Sequence, residues 1–161
     1  MILDTIREMK VALENKINNE LARLDAHVND GIKSPQVCSF LVGSQKLGTY
    51  GFPAILITPE GLSQGEFTGG VKDVFYQFRI SCAVEHTDAV IAENLLYRLL
   101  RAVENVLENS DKASSYFQRY ETQSVDFQDS EFQIDDAKTQ KDGAIIAIVN
   151  ERLLAYRDDQ I

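Results

Sequence analysis

Residues 72–85 read KDVFYQFRISCAVE, and this stretch decides the fold because apolar and polar residues alternate along it. Side chains two residues apart point to the same face of a β-strand, so the apolar set would share one face. That set is Val74, Tyr76, Phe78, Ile80, Cys82 and Val84. The alternation predicts a long strand that is covered on one side.

A shorter apolar run precedes this strand, Pro53-Ala-Ile-Leu-Ile-Thr58. It is apolar on both faces, which predicts a buried strand, and Pro59-Glu60-Gly61 reads as its end. The simplest pairing of the two strands is an antiparallel hairpin. The Gly-rich connection at about 59–72 is then a mobile loop, because loops of this length are usually functional or mobile.

Two helices are predicted from apolar residues at steps of three and four. The first covers about residues 2–28 and ends at Asp30-Gly31, with Gly31 in the left-handed C′ position. Its near-heptad rhythm leaves coiled-coil pairing and packing on a sheet both open. The second follows His86, with Thr87 or Asp88 as N-cap, and ends at Asn109-Ser110-Asp111.

The last third returns to strands, at about 116–127 and 144–156. The second of these is apolar on both faces, which predicts a central or doubly covered strand. The predicted order is α-β-β-α-β-β. We therefore expect an α+β fold in which a four-stranded, mainly antiparallel sheet carries two helices on one face, in a single domain over residues 1–161.

The charge balance excludes some partners. The 161 residues carry 25 acidic and 16 basic side chains, a net charge of −9. Duplex DNA and anionic membranes attract basic surfaces, so binding driven by bulk charge is not expected. The excess is concentrated late in the chain, with a net charge of −7 over residues 102–161. No apolar run reaches the ~18–20 residues of a membrane span, and no signal peptide is apparent.

Candidate catalytic and metal-binding groups are few. Cys38 and Cys82 show no CxxC spacing, and their only possible histidine partners are His27 and His86. A Cys–His catalytic pair or a zinc site would require these residues to converge, but a small buried hydrophobe is the usual role of a cysteine placed like Cys82. The acidic stretch 120–142 lacks the spacing of a calcium loop, and no phosphate-binding glycine motif occurs. The sequence predicts a cytosolic protein without enzymatic activity or cofactor.

The layout resembles the tail-terminator (tail-completion) proteins of long-tailed bacteriophages, and more broadly their head–tail joining proteins. Three features carry the likeness: the long N-terminal helix, the strand pair around PAILIT and VFYQFRISCAV, and the run HTDAVIAENLLYRLLRAVENVLENS followed by two more strands. In that family a sheet flanked by helices assembles as a ring, typically a hexamer. The ring caps the tail tube and joins it to the head connector, and DNA passes through the lumen.

The resemblance implies a non-enzymatic virion protein, made in the host cytoplasm and placed at the head–tail junction. Its partners would be further copies of itself, the tail tube protein and a head connector or stopper protein, with DNA passing unbound and no membrane. The 59–72 loop and the strand edges would make the ring and tube contacts. The contact candidates are Glu60, Gln64, Glu66, Phe67 and Lys72.

The acidic excess would suit a lumen through which DNA slides, because like charges repel phosphates. The lumen candidates are Asp126, Asp129, Glu131, Asp135 and Asp136. A solvated acidic hairpin is the simpler interpretation of the same residues. Two alternatives to the ring remain: a small soluble α+β binding or regulatory module that dimerises through the N-terminal helix, and an enzyme that uses Cys82 or the acidic cluster.

Overall fold

A mixed five-stranded sheet carries two helices in the computed structural model of the chain. The structure describes residues 2–43, 51–68, 71–110, 119–126 and 145–159, and side chains within 6–43, 51–60, 77–108 and at 149. The elements in chain order are α1 (Ile2–Val28), β1 (Ser39–Val42), β2 (Ala54–Thr68), β3 (Val71–His86), α2 (Ala89–Ser110), β4 (Arg119–Asp126) and β5 (Ile145–Asp159).

The alternating stretch at residues 72–85 lies in β3, which is the middle strand of the sheet order β1-β2-β3-β5-β4. It pairs antiparallel with β2 on one side and with β5 on the other, from Lys72 opposite Asp159 to His86 opposite Ile145. β5 lies between β3 and β4, so the prediction of a central last strand is confirmed.

The expected α+β class with two helices is confirmed, but the strand count and order are wrong. The described order is α-β-β-β-α-β-β, because β1 adds a fifth strand that runs parallel to β2. β1 has only four residues, a length at which periodicity carries almost no signal. Its partner Ala54–Ile57 begins 12 residues after Val42 and runs parallel to β1, so no hairpin turn marks the pairing.

The prediction of a loop at 59–72 is also wrong. β2 continues through Pro59 to Thr68, where Thr68 pairs with Val71. Proline and glycine read as a strand end, but here they coincide with shifts of register, between Pro59 and Gly61 and between Gln64 and Phe67. Such β-bulges absorb extra residues and let a strand continue past residues that would otherwise end it.

The helices cover one face of the sheet, which we call the helix face. Ile55 and Ile57 of β2 and the even-numbered residues Phe78–Val84 of β3 pack there with the apolar sides of α1 and α2. The opposite face, the far face, holds a second buried cluster of Leu41, Ala54, Leu56 and Ala83. The alternating residues Phe78–Val84 share one face as predicted, and the buried strand predicted at 53–58 is confirmed. Ser81 and Ala83 are buried as well, so the prediction that β3 is covered on one side only is wrong.

The apolar stripe of α1 is used inside the chain. Six of its residues are 7% exposed or less: Ile6, Met9, Leu13, Ile17, Leu21 and Leu24. Packing on the sheet and on α2 is thus the correct alternative, and this stripe is not available for a coiled coil. The C′ position lies two residues before the predicted Gly31, although Gly31 is itself left-handed as predicted, with φ of 81°. Asn29 takes the left-handed C′ position, with φ of 51° and its N–H 2.9 Å from the Asp25 carbonyl oxygen.

Of the two N-caps predicted for α2, Thr87 and Asp88, the structure has the second. Asp88 is the N-cap, since its Oδ1 accepts hydrogen bonds from the N–H groups of Val90 at 2.9 Å and Ile91 at 3.2 Å. His86 Nδ1 accepts the N–H of Asp88 and so fixes the turn between β3 and the helix. The apolar residues of α2 at steps of three and four are buried, at Ala92, Leu96, Leu99, Val103 and Val106.

Candidate functional site

The C-terminal part of β2 and the N-terminal part of β3 contain most of the residues that the resemblance implies for contacts. We call Gly61–Thr68 together with Val71–Tyr76 the arm. α2 has 22 residues and is about 33 Å long, whereas β3 has 16 residues and is about 53 Å long. α2 starts three residues after the last residue of β3 and is about 20 Å shorter than that strand, so this helix is too short to cover the full length of β3.

The five contact candidates fall at or near the arm. Gln64 is opposite Val74 and Phe67 is opposite Lys72, while Glu66 lies in the stretch where the register shifts. β5 pairs with β3 along the arm as far as Lys72. The backbone of the arm is therefore paired within the sheet, which the sequence prediction of a loop had missed.

Glu60, the remaining candidate, stands at the base of the arm and is engaged within the chain. Arg79 donates two hydrogen bonds to its carboxylate, Nε to Oε1 at 3.1 Å and Nη2 to Oε2 at 3.0 Å. This fork geometry is the strong form of the arginine–carboxylate pair. The pair joins β2 to β3 beside the first register shift, so Glu60 already stabilises the base of the arm.

The acidic candidates are only partly visible. Asp126 is the last residue of β4 and pairs with Asn150 of β5. Asn150 is opposite Ser81, which lies two residues from Ala83, so this register places Asp126 on the far face. Asp129, Glu131, Asp135 and Asp136 lie outside the described residues.

The best-defined polar cluster was not predicted from the sequence. Arg98, in the middle of α2, is only 7% exposed. Its Nη1 donates to Asp25 Oδ1 at 3.0 Å and to the Ile32 carbonyl at 2.9 Å, and its Nη2 donates to Asp30 Oδ2. One arginine thus joins α2, the last turn of α1 and the segment after it. A buried charge of this kind is stable only when paired and fully hydrogen-bonded.

Asp25 is the other centre of this cluster. Besides Arg98 it accepts the Ser34 N–H at 2.8 Å and the Ser34 hydroxyl at 2.6 Å. Burial alone would raise the pKa of Asp25, but the hydrogen bonds from Ser34 and Arg98 outweigh it and lower that pKa. The Ile32 N–H and then Arg98 lower the pKa of Asp30 against a smaller opposing effect of burial.

A sequence signal for this cluster does exist. Leu95 and Ala102 are both buried, and they stand three residues before and four residues after Arg98. On a helix these are neighbours of Arg98 on the same side. A charged residue between two stripe positions must therefore either reach solvent or find a partner, and the second outcome applies here.

The two cysteines and His86 have different surroundings in the structure. Cys82 is fully buried in the core on the helix face, whereas Cys38 is exposed and lies 3.3 Å from the Phe52 carbonyl. His86 accepts the N–H of Asp88, as described above. Among the residues that the structure describes, no three His, Cys, Asp or Glu side chains are placed to hold a metal ion.

The outer surface of the helices is mainly polar. Four large apolar side chains are exposed there or at the helix ends within the described residues: Val11, Val28, Val90 and Tyr97. Tyr97 donates a hydrogen bond to Glu93, one helical turn earlier, which raises the pKa of the tyrosine. In the described part of the chain, neither helix is long and apolar enough to cross a membrane.

Comparison with known proteins gives little. No family model matches the chain, and no curated protein matches it. Among solved structures, the chain is similar to a chain of the virion of a native gene transfer agent (GTA) particle, with 11% sequence identity and a TM-score of 0.44. The match covers 91% of this chain and 95% of that chain. At this identity and TM-score, the likeness carries no argument about function.

Proposed function

We propose that the chain is a structural virion protein that forms a ring, caps a tail tube and joins it to a head connector. The proposal starts from the resemblance of its layout to tail-terminator proteins. The observation that carries it further is the arm, in which β2 and β3 stay paired although β3 is about 20 Å longer than α2. A role in contacts with other subunits would account for strands that continue past the length that α2 can cover.

The pairing of the arm matters for the strength of those contacts. A loop that becomes ordered on binding loses conformational entropy, and this loss reduces affinity. The backbone of the arm is already hydrogen-bonded to the neighbouring strands, and the Glu60–Arg79 pair holds its base. Docking of the arm on a tube subunit would therefore cost less than docking of a loop.

The acidic excess supports an unbound passage for DNA. The second part of the chain, residues 102–161, has a net charge of −7, and Asp126 ends β4 on the far face. A lumen lined by carboxylates repels phosphates and prevents DNA from adhering. In the ring, the segment around Asp126 would face the lumen.

Electron microscopy of the purified full chain, alone and with isolated phage tail tubes, tests the ring. We expect rings with a central hole, and rings seated at tube ends when tubes are present. Native mass measurement then gives the number of subunits. A monomer or dimer at high concentration with tubes present would contradict the proposal.

The arm is tested by one substitution and a neighbouring control. Aromatic side chains dominate interface energies, so Phe67→Ala should weaken tube capping at least tenfold while rings still form. Thr68→Ala, at the next position of β2, should leave capping nearly unchanged. Equal effects of the two substitutions would show that Phe67 is not a contact.

A further inference from the structure

The turn that follows α1 contains a chemically reactive pair of residues, Asp30–Gly31. A backbone nitrogen that follows an aspartate can attack its side chain, and glycine favours this reaction because it has no Cβ to shield that nitrogen. Gly31 has a φ of 81°, and apart from its two chain neighbours no atom lies within 4 Å of the place where a Cβ would be. The side of Gly31 on which a side chain would stand is therefore open.

The reaction in question is the formation of isoaspartate. The nitrogen of Gly31 bonds to Cγ of Asp30 and loses its proton to water, while one side-chain oxygen leaves Cγ as water. The product is a succinimide ring, and a water molecule then adds to one of its two carbonyl carbons. Addition at the main-chain carbonyl of Asp30 breaks its bond to the nitrogen and leaves isoaspartate, whereas addition at Cγ restores aspartate. One water is released and one is taken up, so no other reactant is needed.

The carboxyl of Asp30 must be neutral to react readily, because an ionised carboxylate would have to expel an oxide ion. In the structure two contacts favour the ionised form. The Ile32 N–H donates to Oδ1 at 3.0 Å, and Arg98 Nη2 donates to Oδ2. Hydrogen bonds to the charged form stabilise it, and the Ile32 N–H and then Arg98 lower the pKa of Asp30. Both side-chain oxygens are engaged, so each must lose a contact before it can leave.

Arg98 is fixed in place by further contacts. It is only 7% exposed, and it also donates to Asp25 Oδ1 at 3.0 Å and to the Ile32 carbonyl at 2.9 Å. The Asp30 side chain, in contrast, is 30% exposed, so water reaches it. Arg98 can turn away from Asp30 only if its other hydrogen bonds break as well. The reactivity of Asp30 therefore depends on whether the contact between α1 and α2 is intact.

We propose that Asp30–Gly31 is a modification site, at which isoaspartate forms, and that Arg98 suppresses the reaction while the chain is folded. The inference does not depend on the proposed ring. In isoaspartate the main chain runs through Cβ and Cγ, so it is one carbon longer, and the carboxylate stands directly on Cα. The contacts of Arg98 with Asp30 and with the Ile32 carbonyl both depend on the natural spacing. Isoaspartate at residue 30 therefore weakens the attachment of this turn to α2.

The natural chain, incubated in buffer and in guanidinium chloride at the same neutral pH and temperature, tests the suppression. Peptide mapping combined with labelling by isoaspartate methyltransferase locates and counts the product. We expect residue 30 to react at least about tenfold more slowly in the folded chain, because the reaction then waits for a local opening of the turn. Equal rates at residue 30 in the two solvents would overturn the proposal.

The sequence supplies a control for this measurement. Its other Asp–Gly link, Asp142–Gly143, lies outside the described residues. In guanidinium chloride no folded contact distinguishes the two links, so both should form isoaspartate at similar rates. The ratio of the two rates in denaturant then corrects for the effect of the neighbouring residues in the sequence.

Arg98→Lys and Arg98→Gln test the part played by the arginine. Each keeps a hydrogen-bond donor but loses the fork that bonds to several acceptors at once, so we expect residue 30 to react about tenfold faster. Arg101→Gln, at an exposed position of the same helix, is the matched control and should leave the rate unchanged. Sucrose in all samples favours the folded state, and circular dichroism checks it. An unchanged rate at residue 30 in both Arg98 variants would show that the arginine does not suppress the reaction.

The effect of the product on the fold is measured on aged protein. Ion-exchange chromatography separates chains that carry isoaspartate at residue 30 from unmodified chains of the same sample. We expect the modified chains to unfold at a lower urea concentration, since the turn has lost its natural spacing to Arg98. Equal midpoints would overturn the proposed weakening of the attachment to α2.

Discussion

Arg98 Nη1 lies 3.0 Å from Asp25 Oδ1, although the two residues are 73 positions apart in the chain. The contact joins the middle of α2 to the last turn of α1. Both side chains are largely withdrawn from water, with 7% and 16% of their surface exposed. It is therefore a contact whose loss leaves a charge in a poorly solvated place.

Replacement of the arginine should be costly. Arg98→Ala leaves Asp25 and Asp30 without their cationic partner, and breaking a buried pair in this way costs about 3–5 kcal/mol of unfolding free energy. Urea denaturation of the two proteins measures the difference. Arg101→Ala, at an exposed position of the same helix, should stay within about 0.5 kcal/mol. Similar effects of the two changes would show that the cluster adds no stability.

The same cluster should make stability sensitive to acid. The folded-state pKa values of Asp25 and Asp30 lie below the ordinary value of 3.8, so the folded state favours their charged forms. This contribution is fully present above about pH 4 and is lost as the pH falls through the lowered values. Asp25→Asn should cost about 1.5 kcal/mol at pH 7. The difference from the natural chain should shrink below pH 4 in denaturation curves.

A control for the acid effect is available on α1. Glu14→Gln changes an exposed carboxyl that forms an i,i+4 pair with Lys10 at 3.6 Å, and it should alter stability by less than about 0.5 kcal/mol. A constant cost of Asp25→Asn from pH 7 to pH 2 would show that the charge of Asp25 is not what stabilises the fold.

Asn29 allows a test of the end of α1. A residue with a Cβ pays roughly 1–2 kcal/mol in the left-handed region, and asparagine and glycine tolerate it best. Asn29→Ala should therefore lower the unfolding free energy by about 1 kcal/mol, and Asn29→Gly should leave it unchanged or raise it. Thermal and urea denaturation both report this order. The reverse order would mean that the Asn29 side chain makes a more important contact than its backbone conformation suggests.

Salt should favour assembly. Each copy carries a net charge of −9, so copies in a ring repel one another. Screening shortens the range of this repulsion from about 10 Å at 0.1 M salt to about 3 Å at 1 M. We expect sedimentation velocity to show more of the ring at 1 M than at 0.1 M. Dissociation at high salt would instead indicate that opposite charges join the subunits.

The sequence predicted the elements whose burial is periodic. The alternation around Phe78 and Ile80, the stripe of α1 and the Asp88 N-cap are local patterns, and each is set by the residues that display it. β1 was missed because four residues carry no period and its partner strand is identified only in the folded chain. The extension of β2 was missed because Pro59 and Gly61 usually end a strand, and only pairing with β3 keeps it going.

The same distinction between local patterns and contacts of distant residues applies to the candidate site. Phe67 and Gln64 are contact candidates that the resemblance implies, but their place on a paired arm follows from the register with β3. The partnership of Arg98 with Asp25 depends on how α2 crosses the end of α1, which no local pattern contains. Ring formation lies a step beyond both, because it depends on surfaces between copies.

The pairing of β3 with β5 sets the order in which the protein can be made. Lys72 and Asp159 are partners that the ribosome adds 87 residues apart, whereas β2 and β3 are neighbours in the chain. During synthesis, the β2–β3 hairpin and α2 can form early, while one side of β3 waits for the last strand. Non-local pairing of this kind makes folding slow. Each newly made chain therefore completes its sheet only after β5 has been synthesised, and until then β3 offers an unpaired edge to other chains.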